Sequence, residues 1–298
     1  MTQSILTLFT SPKAFSGHAA LIQNNALDSW GSLPGVQVIL FGNDAGVAEA
    51  AAMRGFMHVP AVNTSAYGTP LLDDIFAQAR EQAETPLICF VNADIILPPD
   101  FVELARRLAS LKPQFLAVGQ RWNIPLDAAL DFSENAYEHL ESIRLRQGEL
   151  TDPVAMDFFL FPKGLALEMP PFCIGRPVWD NWMIWNAKQR KVPVIDLTAA
   201  LTVYHQDHAY GHIPGGDGRS WLGSPEADHN YALVAQLRTF RPILHTTLHA
   251  DLRYTANGLQ GPDFFRRAQW DFVHYYLPSA RHCCGKAVRL LRSLKKSH

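Results

Sequence analysis

Short apolar runs alternate along the first half of the chain with stretches whose apolar residues recur about once per helical turn. Ile5 to Phe9 runs into Thr10-Ser11-Pro12, and Val38 to Phe41 into Gly42-Asn43-Asp44; both predict buried strands stopped by turn chemistry. Between them, Leu21, Ile22, Ala26, Leu27 and Trp30 predict a helix over 19–30. An Ala-rich helix is expected over 46–54, a brief strand over 56–59, and a helix over 71–84 that stops near Thr85-Pro86. Ile88 to Val91 predicts a strand that delivers Asn92-Ala93-Asp94, and 99–111 predicts a helix whose Pro and Asp residues suit a first turn. This alternation implies an α/β fold, a mostly parallel sheet with helices on both faces. Ligands of such sheets gather beyond the carboxyl ends of the strands.

The second half is patterned differently. Strands are expected at 116–118, at 155–161 with Asp157 inside, at 192–196 and at 201–204, with a helix over 179–188. Trp179, Trp182 and Trp185, three residues apart, suit core packing. The stretch HQDHAYGHIPGGDG, 205–218, is too polar and glycine-rich for an element and reads as a functional loop. Beyond Arg281, basic residues Lys286, Arg289, Arg292, Lys295 and Lys296 interleave with Ala287, Val288, Leu290, Leu291 and Leu294. A basic amphipathic helix of this kind can lie on an anionic membrane surface or pack on its own domain. The expected division is a domain over 1–245 and a helical extension over 246–298.

Composition narrows the function classes. With 298 residues, 48% hydrophobic, and a net charge of -2, the chain can bury a substantial core but lacks the overall basic field of a polyanion binder, so nucleic acid is not an expected partner. The N-terminal run is too short for a signal peptide, and no segment approaches a membrane span, so a cytoplasmic protein is expected. The four cysteines have neither zinc spacing nor a disulfide framework, which fits a reducing compartment.

Three segments carry candidate chemistry. A carboxylate at a strand end, as in Asn92-Ala93-Asp94, can hold Mg or Mn while the ion binds two phosphate oxygens. His205, Asp207, His208 and His212 supply imidazole and carboxylate donors, with His205 preferred because it ends the expected strand; a solvated loop is the alternative. In GRPVWDNW, 175–182, Asp180 opens a helix, where a carboxylate caps backbone N–H groups and is also placed to act as a general base.

Taken together, and over about residues 4 to 240, these segments resemble the nucleotide-diphospho-sugar glycosyltransferases of the GT-A fold, bacterial family-2-like, in which a Rossmann-like mixed sheet carries the site. FVNADI stands in place of the Asp-x-Asp motif and WDN where inverting members carry an acidic base. The resemblance implies that Asp94 binds the divalent ion bridging the donor's diphosphate. His205 matches the late metal-binding histidine, with His208 the alternate. Asp180 would take the proton from the acceptor hydroxyl, and Thr10, Asn43 and Asp44 would hold the nucleoside. Asn92 replaces the first acid of Asp-x-Asp, and Trp179 replaces the Glu of the usual Glu-Asp pair.

Asp157 and Arg121 are candidates for contact with donor sugar or acceptor, or for a buried ion pair. Arg176 is a candidate for a phosphate or an acidic acceptor, or for a surface role. The implied co-substrate is a nucleotide-diphospho-sugar, the cofactor Mn or Mg, and the acceptor a glycan or lipid-linked glycan of the lipopolysaccharide or capsule kind. An inverting reaction is expected, with a retaining one open. A zinc hydrolase using His205, Asp207 and His208 is a competing reading, although Val203 stands where its preceding histidine would be. A sugar nucleotidylyltransferase would want a glycine-rich loop at Thr10-Ser11-Pro12-Lys13. A non-catalytic nucleotide-binding module is the remaining alternative.

Overall fold

A computed structural model describes residues 4–207 and 223–278. Strand β1 (Leu6–Thr10), helix α1 (Gly17–Gly31), β2 (Val36–Phe41), α2 (Val47–Arg54), β3 (Met57–Val59), α3 (Leu72–Gln82) and β4 (Leu87–Val91) follow the alternation read from the sequence. Next come β5 (Ile95–Ile96), α4 (Phe101–Leu111), β6 (Leu116–Val118), β7 (Trp122–Ile124), α5 (Ala136–Gln147), β8 (Glu149–Leu150) and β9 (Phe158–Pro162). The chain ends with α6 (Trp179–Gln189), β10 (Val194–Asp196), β11 (Tyr204–Gln206), α7 (Pro225–Val234), β12 (Leu252–Thr255), β13 (Gly258–Gln260) and α8 (Phe264–Asp271), which continues as a π turn over Phe272–Tyr276.

Nine strands form one sheet in the order β13-β12-β10-β6-β9-β4-β1-β2-β3. Its ladders are parallel except where β9 runs antiparallel between β4 and β6 and where β13 closes one edge. Successive strand residues point to opposite faces, and both faces are buried, as expected of a parallel sheet. Leu6, Leu8, Val38, Leu40, Cys89 and Val91 pack toward α1, α2 and α4. Phe9, Ile39, Phe41, Ile88 and Phe90 pack toward α3 and α6. The mixed, mostly parallel α/β sheet flanked by helices is therefore the observed architecture.

A second, four-stranded sheet has the order β5-β11-β7-β8 and carries a small core of its own with α5. The strand expected at 201–204 is displaced to Tyr204–Gln206, so His205 lies inside a strand rather than at the start of a loop. Leu201 and Val203 are buried in the main core without a ladder, which accounts for the apolar run. The strand expected at 155–161 begins at Phe158, leaving Asp157 just before it. Strands β12 and β13 lie beyond residue 245, where the first domain was expected to end, and β12 pairs parallel with β10, so the same sheet continues to Gln260. Among the described residues no helix is long and apolar enough to cross a membrane. His208, His212 and the basic segment from Arg281 onward lie outside the described residues.

Candidate functional site

The carboxyl ends of β1, β2 and β4 lie side by side. Thr10, the last residue of β1, is buried, while Asn43 and Asp44 are exposed just beyond β2. The turn after them makes a close approach: Gly46 has φ 86°, and a Cβ there would lie 2.7 Å from the Phe15 Cβ. Only glycine meets both demands.

Beyond β4 the chain turns through Asn92-Ala93-Asp94 into β5, which pairs antiparallel with β11 at Ile95 and His205. That pairing brings His205 Nε2 to 3.5 Å from Asp94 Oδ2, and His205 Nδ1 to 4.0 Å from Asp207 Oδ1. Gln206, fully buried on the same strand, fixes the turn: its Nε2 donates to the Asp94 carbonyl at 3.2 Å and to the Ile22 carbonyl at 2.8 Å, and its Oε1 accepts from Asn25 Nδ2. On the other side, buried Gln23 clamps both main-chain groups of Lys13. Desolvation holds the Lys13 ammonium below the usual lysine range, the Asp94 carboxylate opposes that, and the Arg176 charge adds to it. Lys13, Asp94 and Arg176 thus share one electrostatic neighbourhood.

The facing wall is polar and buried. Asp157 Oδ1 accepts from Asn92 Nδ2 at 2.7 Å and from Arg121 Nη1, while the Asn92 N–H donates to the Asp157 carbonyl at 2.9 Å. Asp157 Oδ2 is buried with no hydrogen-bond partner among the described residues, an arrangement costly enough to point to a missing donor. Both residues expected either to touch ligand or to pair internally, Arg121 and Asp157, therefore form an ion pair, and Asn92 is its third member.

Asp180 opens α6 on this wall. Trp179 beside it packs edge-on to Phe90 and against Phe159, with ring centroids 5.2 and 5.1 Å away. The position that carries an acid in the resembled family is therefore filled by core, and Trp182 is buried as well. Burial pushes the Asp180 carboxyl up to about 7; the Asn181 N–H, donating to Oδ1 at 2.9 Å, opposes this, the Asp157 charge adds to it, and Arg121 opposes it. Val178 caps the helix at φ 78°, left-handed and rare for a β-branched residue.

Arg176 faces Glu226 of α7, Nη2 to Oε2 at 2.5 Å, and Ser65 Oγ donates to the other Glu226 oxygen at 2.6 Å. Asn230, buried on the same helix, accepts from the Cys173 N–H and donates to the carbonyls of Cys173 and Pro177.

Asp94, Asn92, Asp157, Arg121, His205 and Asp180 are gathered at one end of the sheet, with Lys13 and Arg176 near them. Residues the sequence did not mark are Lys13, Gln23, Gln206, Glu226 and Asn230. Lys13 alone left a trace, as a cation directly after a strand-ending Thr-Ser-Pro. One carboxylate and one imidazole 3.5 Å apart suit two donors on a single ion with bonds of about 2.1 Å, leaving positions for phosphate oxygens. Among the described residues no group of three or more His, Cys, Asp or Glu is arranged for a metal. Of the zinc-hydrolase ligand set, His205 and Asp207 are described, while His208 lies outside the described residues.

No family model and no curated protein matches this chain. Solved structures similar to it include S. aureus TarS 1-349 in complex with UDP-GlcNAc, at 11% identity over 81% of this chain and 67% of that one, TM-score 0.48. A second structure of TarS 1-349 aligns at 10% identity over 68% of this chain and 60% of its own, TM-score 0.44. Glucosyl-3-phosphoglycerate synthase from Mycobacterium tuberculosis, in complex with Mn2+, UDP and phosphoglyceric acid, aligns at 14% identity over 80% of each chain, TM-score 0.46.

Proposed function

We propose that the chain is a glycosyltransferase of the GT-A kind, moving a sugar from a nucleotide-diphosphate donor to a hydroxyl of a glycan or lipid-linked acceptor with inversion at the anomeric carbon. The observation that carries this reading is the meeting, at the carboxyl ends of β1 and β4, of the Asp94–His205 pair with a helix-borne carboxylate tuned to about 7, Asp180, through the shared Asn92–Asp157–Arg121 cluster. A divalent Mn or Mg ion held by Asp94 and His205 would supply positive charge to the departing diphosphate. Lys13 and Arg176 bring cationic charge to the same phosphates, and Asn43 and Asp44 line the approach of the nucleoside. Asp180 accepts the acceptor's proton as its oxygen bonds to the anomeric carbon; the bond to the diphosphate breaks, and its electron pair leaves on the phosphate oxygen. Asp157 Oδ2 is free to accept from a sugar hydroxyl. Synthesis of a surface polysaccharide on the cytoplasmic side of a membrane is the setting this chemistry fits.

The test is thermal unfolding and donor hydrolysis across a panel of nucleotide sugars with Mn, Mg or chelator. One donor is expected to raise the unfolding temperature by a few degrees, with the ion and not with chelator. Asp94→Ala is expected to lose that response while keeping the fold. Silence toward every nucleotide and nucleotide sugar would overturn the reading.

A further inference from the structure

Helix α8 and the π turn after it are amphipathic in the opposite sense to a helix that packs on a core. Phe265, Ala268, Phe272 and Tyr276 recur at three- and four-residue steps and form one stripe. That stripe faces solvent: Phe265 is 81%, Phe272 59% and Tyr276 60% exposed, with Phe264 and Val273 exposed at its flanks. The opposite side is anchored to the protein through polar contacts. Trp270 Nε1 donates to the Ile243 carbonyl at 3.0 Å, Asp271 Oδ1 meets His249 Nε2 at 2.9 Å, and Arg253 Nη1 of β12 donates to Oδ2 of the N-cap Asp263 at 3.2 Å. The helix cannot roll its aromatic side inward without breaking these, so its covering must come from outside.

Charge selects the occupant. Residues 264–298 hold eight Lys or Arg (Arg266, Arg267, Arg281, Lys286, Arg289, Arg292, Lys295 and Lys296) against one acid, Asp271, and none follows it. A second copy of the chain on this stripe would bring two such cationic segments together. An anionic surface with an apolar interior answers both features, because aromatic side chains settle at the headgroup boundary while Lys and Arg bind the anionic headgroups.

We infer that the Phe265–Phe272–Tyr276 stripe is a docking surface for an anionic lipid bilayer. The inference does not depend on the chemistry of the candidate site. It is tested by sedimenting the full chain with vesicles of phosphatidylcholine alone and of phosphatidylcholine mixed with phosphatidylglycerol. The wild type is expected to pellet with the mixed vesicles only. The triple variant Phe265→Ser, Phe272→Ser, Tyr276→Ser is expected to bind them about tenfold or more weakly, with unchanged thermal unfolding because these side chains are already exposed. Replacing Lys286, Arg289, Arg292, Lys295 and Lys296 by Gln is expected to weaken binding as well. Absence of the wild type from the anionic pellet would overturn the inference, as would equal binding by the triple variant. A wild-type dimer that the triple variant abolishes would overturn it too, by assigning the stripe to a second copy.

Discussion

Asp180 is a carboxylate whose two possible roles, cap and base, draw on the same position. Its Oδ1 accepts the Asn181 N–H in the first turn of α6, which favours the ionised form. Burial outweighs that and carries the group up to about 7, with the Asp157 charge reinforcing the shift. The base form therefore fills in as pH rises through about 7, and kcat/KM is expected to rise over the same range and then level. Asp180→Asn is expected to lower turnover by about 10²–10⁴-fold at pH 8. The stability effect runs the other way. A carboxyl whose folded value lies above its unfolded value, near 3.8, binds its proton more tightly in the folded state. Its contribution is fully present below the unfolded value and is lost as pH rises toward the folded value. Asp180→Asn removes that loss, so the variant is expected to be more stable than wild type by up to about 4 kcal/mol near pH 8, and by less than half of that near pH 5. Thermal unfolding at the two pH values measures it; a variant less stable at the higher pH would mean that the cap outweighs the buried charge.

The start of α6 is held by other elements rather than by its own sequence. Val178 in the left-handed region costs about 1–3 kcal/mol and persists only where the surroundings over-determine it. Those surroundings are the aromatic socket of Trp179, the Arg176–Glu226 pair, and Asn230, whose side chain satisfies three main-chain groups of the preceding loop. Asn230→Ala leaves those groups buried without partners and is expected to cost about 2–4 kcal/mol in denaturant unfolding. A loss below about 0.5 kcal/mol would show that the loop holds itself. This dependence also explains what could be read from the sequence. Strands β1, β2 and β4 are continuous apolar runs ended by turn residues, so they and the placement of Asn43, Asp44, Asn92 and Asp94 just beyond their carboxyl ends were legible. Asp180 was legible because a helix start has its own chemistry. The second sheet was not: its strands are two or three residues long, too short for a period, and Tyr204-His205-Gln206 reads as polar although all three are buried. Gln206 and Asn230 were missed for the same reason. A buried amide that satisfies backbone from a distant element looks, in one dimension, like any loop amide.

Across the whole molecule the charge is unevenly spread. Residues 1–263 carry 18 Lys or Arg against 27 Asp or Glu, so a net of -9 faces the cationic surplus of the remaining segment. A nucleotide diphosphate approaching so acidic a body needs local positive charge, which Lys13, Arg176 and a divalent ion at Asp94 and His205 would provide. The aromatic stripe and the proposed base are joined by short contacts through one segment. Asn181, next to Asp180, donates to the His245 carbonyl at 2.9 Å, Lys188 of α6 donates to the His249 carbonyl at 2.8 Å, and Ile243 and His249 anchor α8. A bilayer under the stripe would thus lie at a fixed position relative to Asp180, and holding the enzyme on that surface would raise the effective concentration of an acceptor embedded in it. The two proposals then combine into a result that neither gives alone. With donor and a water-soluble acceptor, the Phe265→Ser, Phe272→Ser, Tyr276→Ser variant is expected to turn over like wild type. With an acceptor carried in phosphatidylglycerol vesicles, it is expected to fall about tenfold or more, while Asp180→Asn fails on both. Equal losses on the soluble and the vesicle-borne acceptor would break the link between docking and acceptor delivery, because a stripe that acts by holding the enzyme on a surface has nothing to contribute where there is no surface.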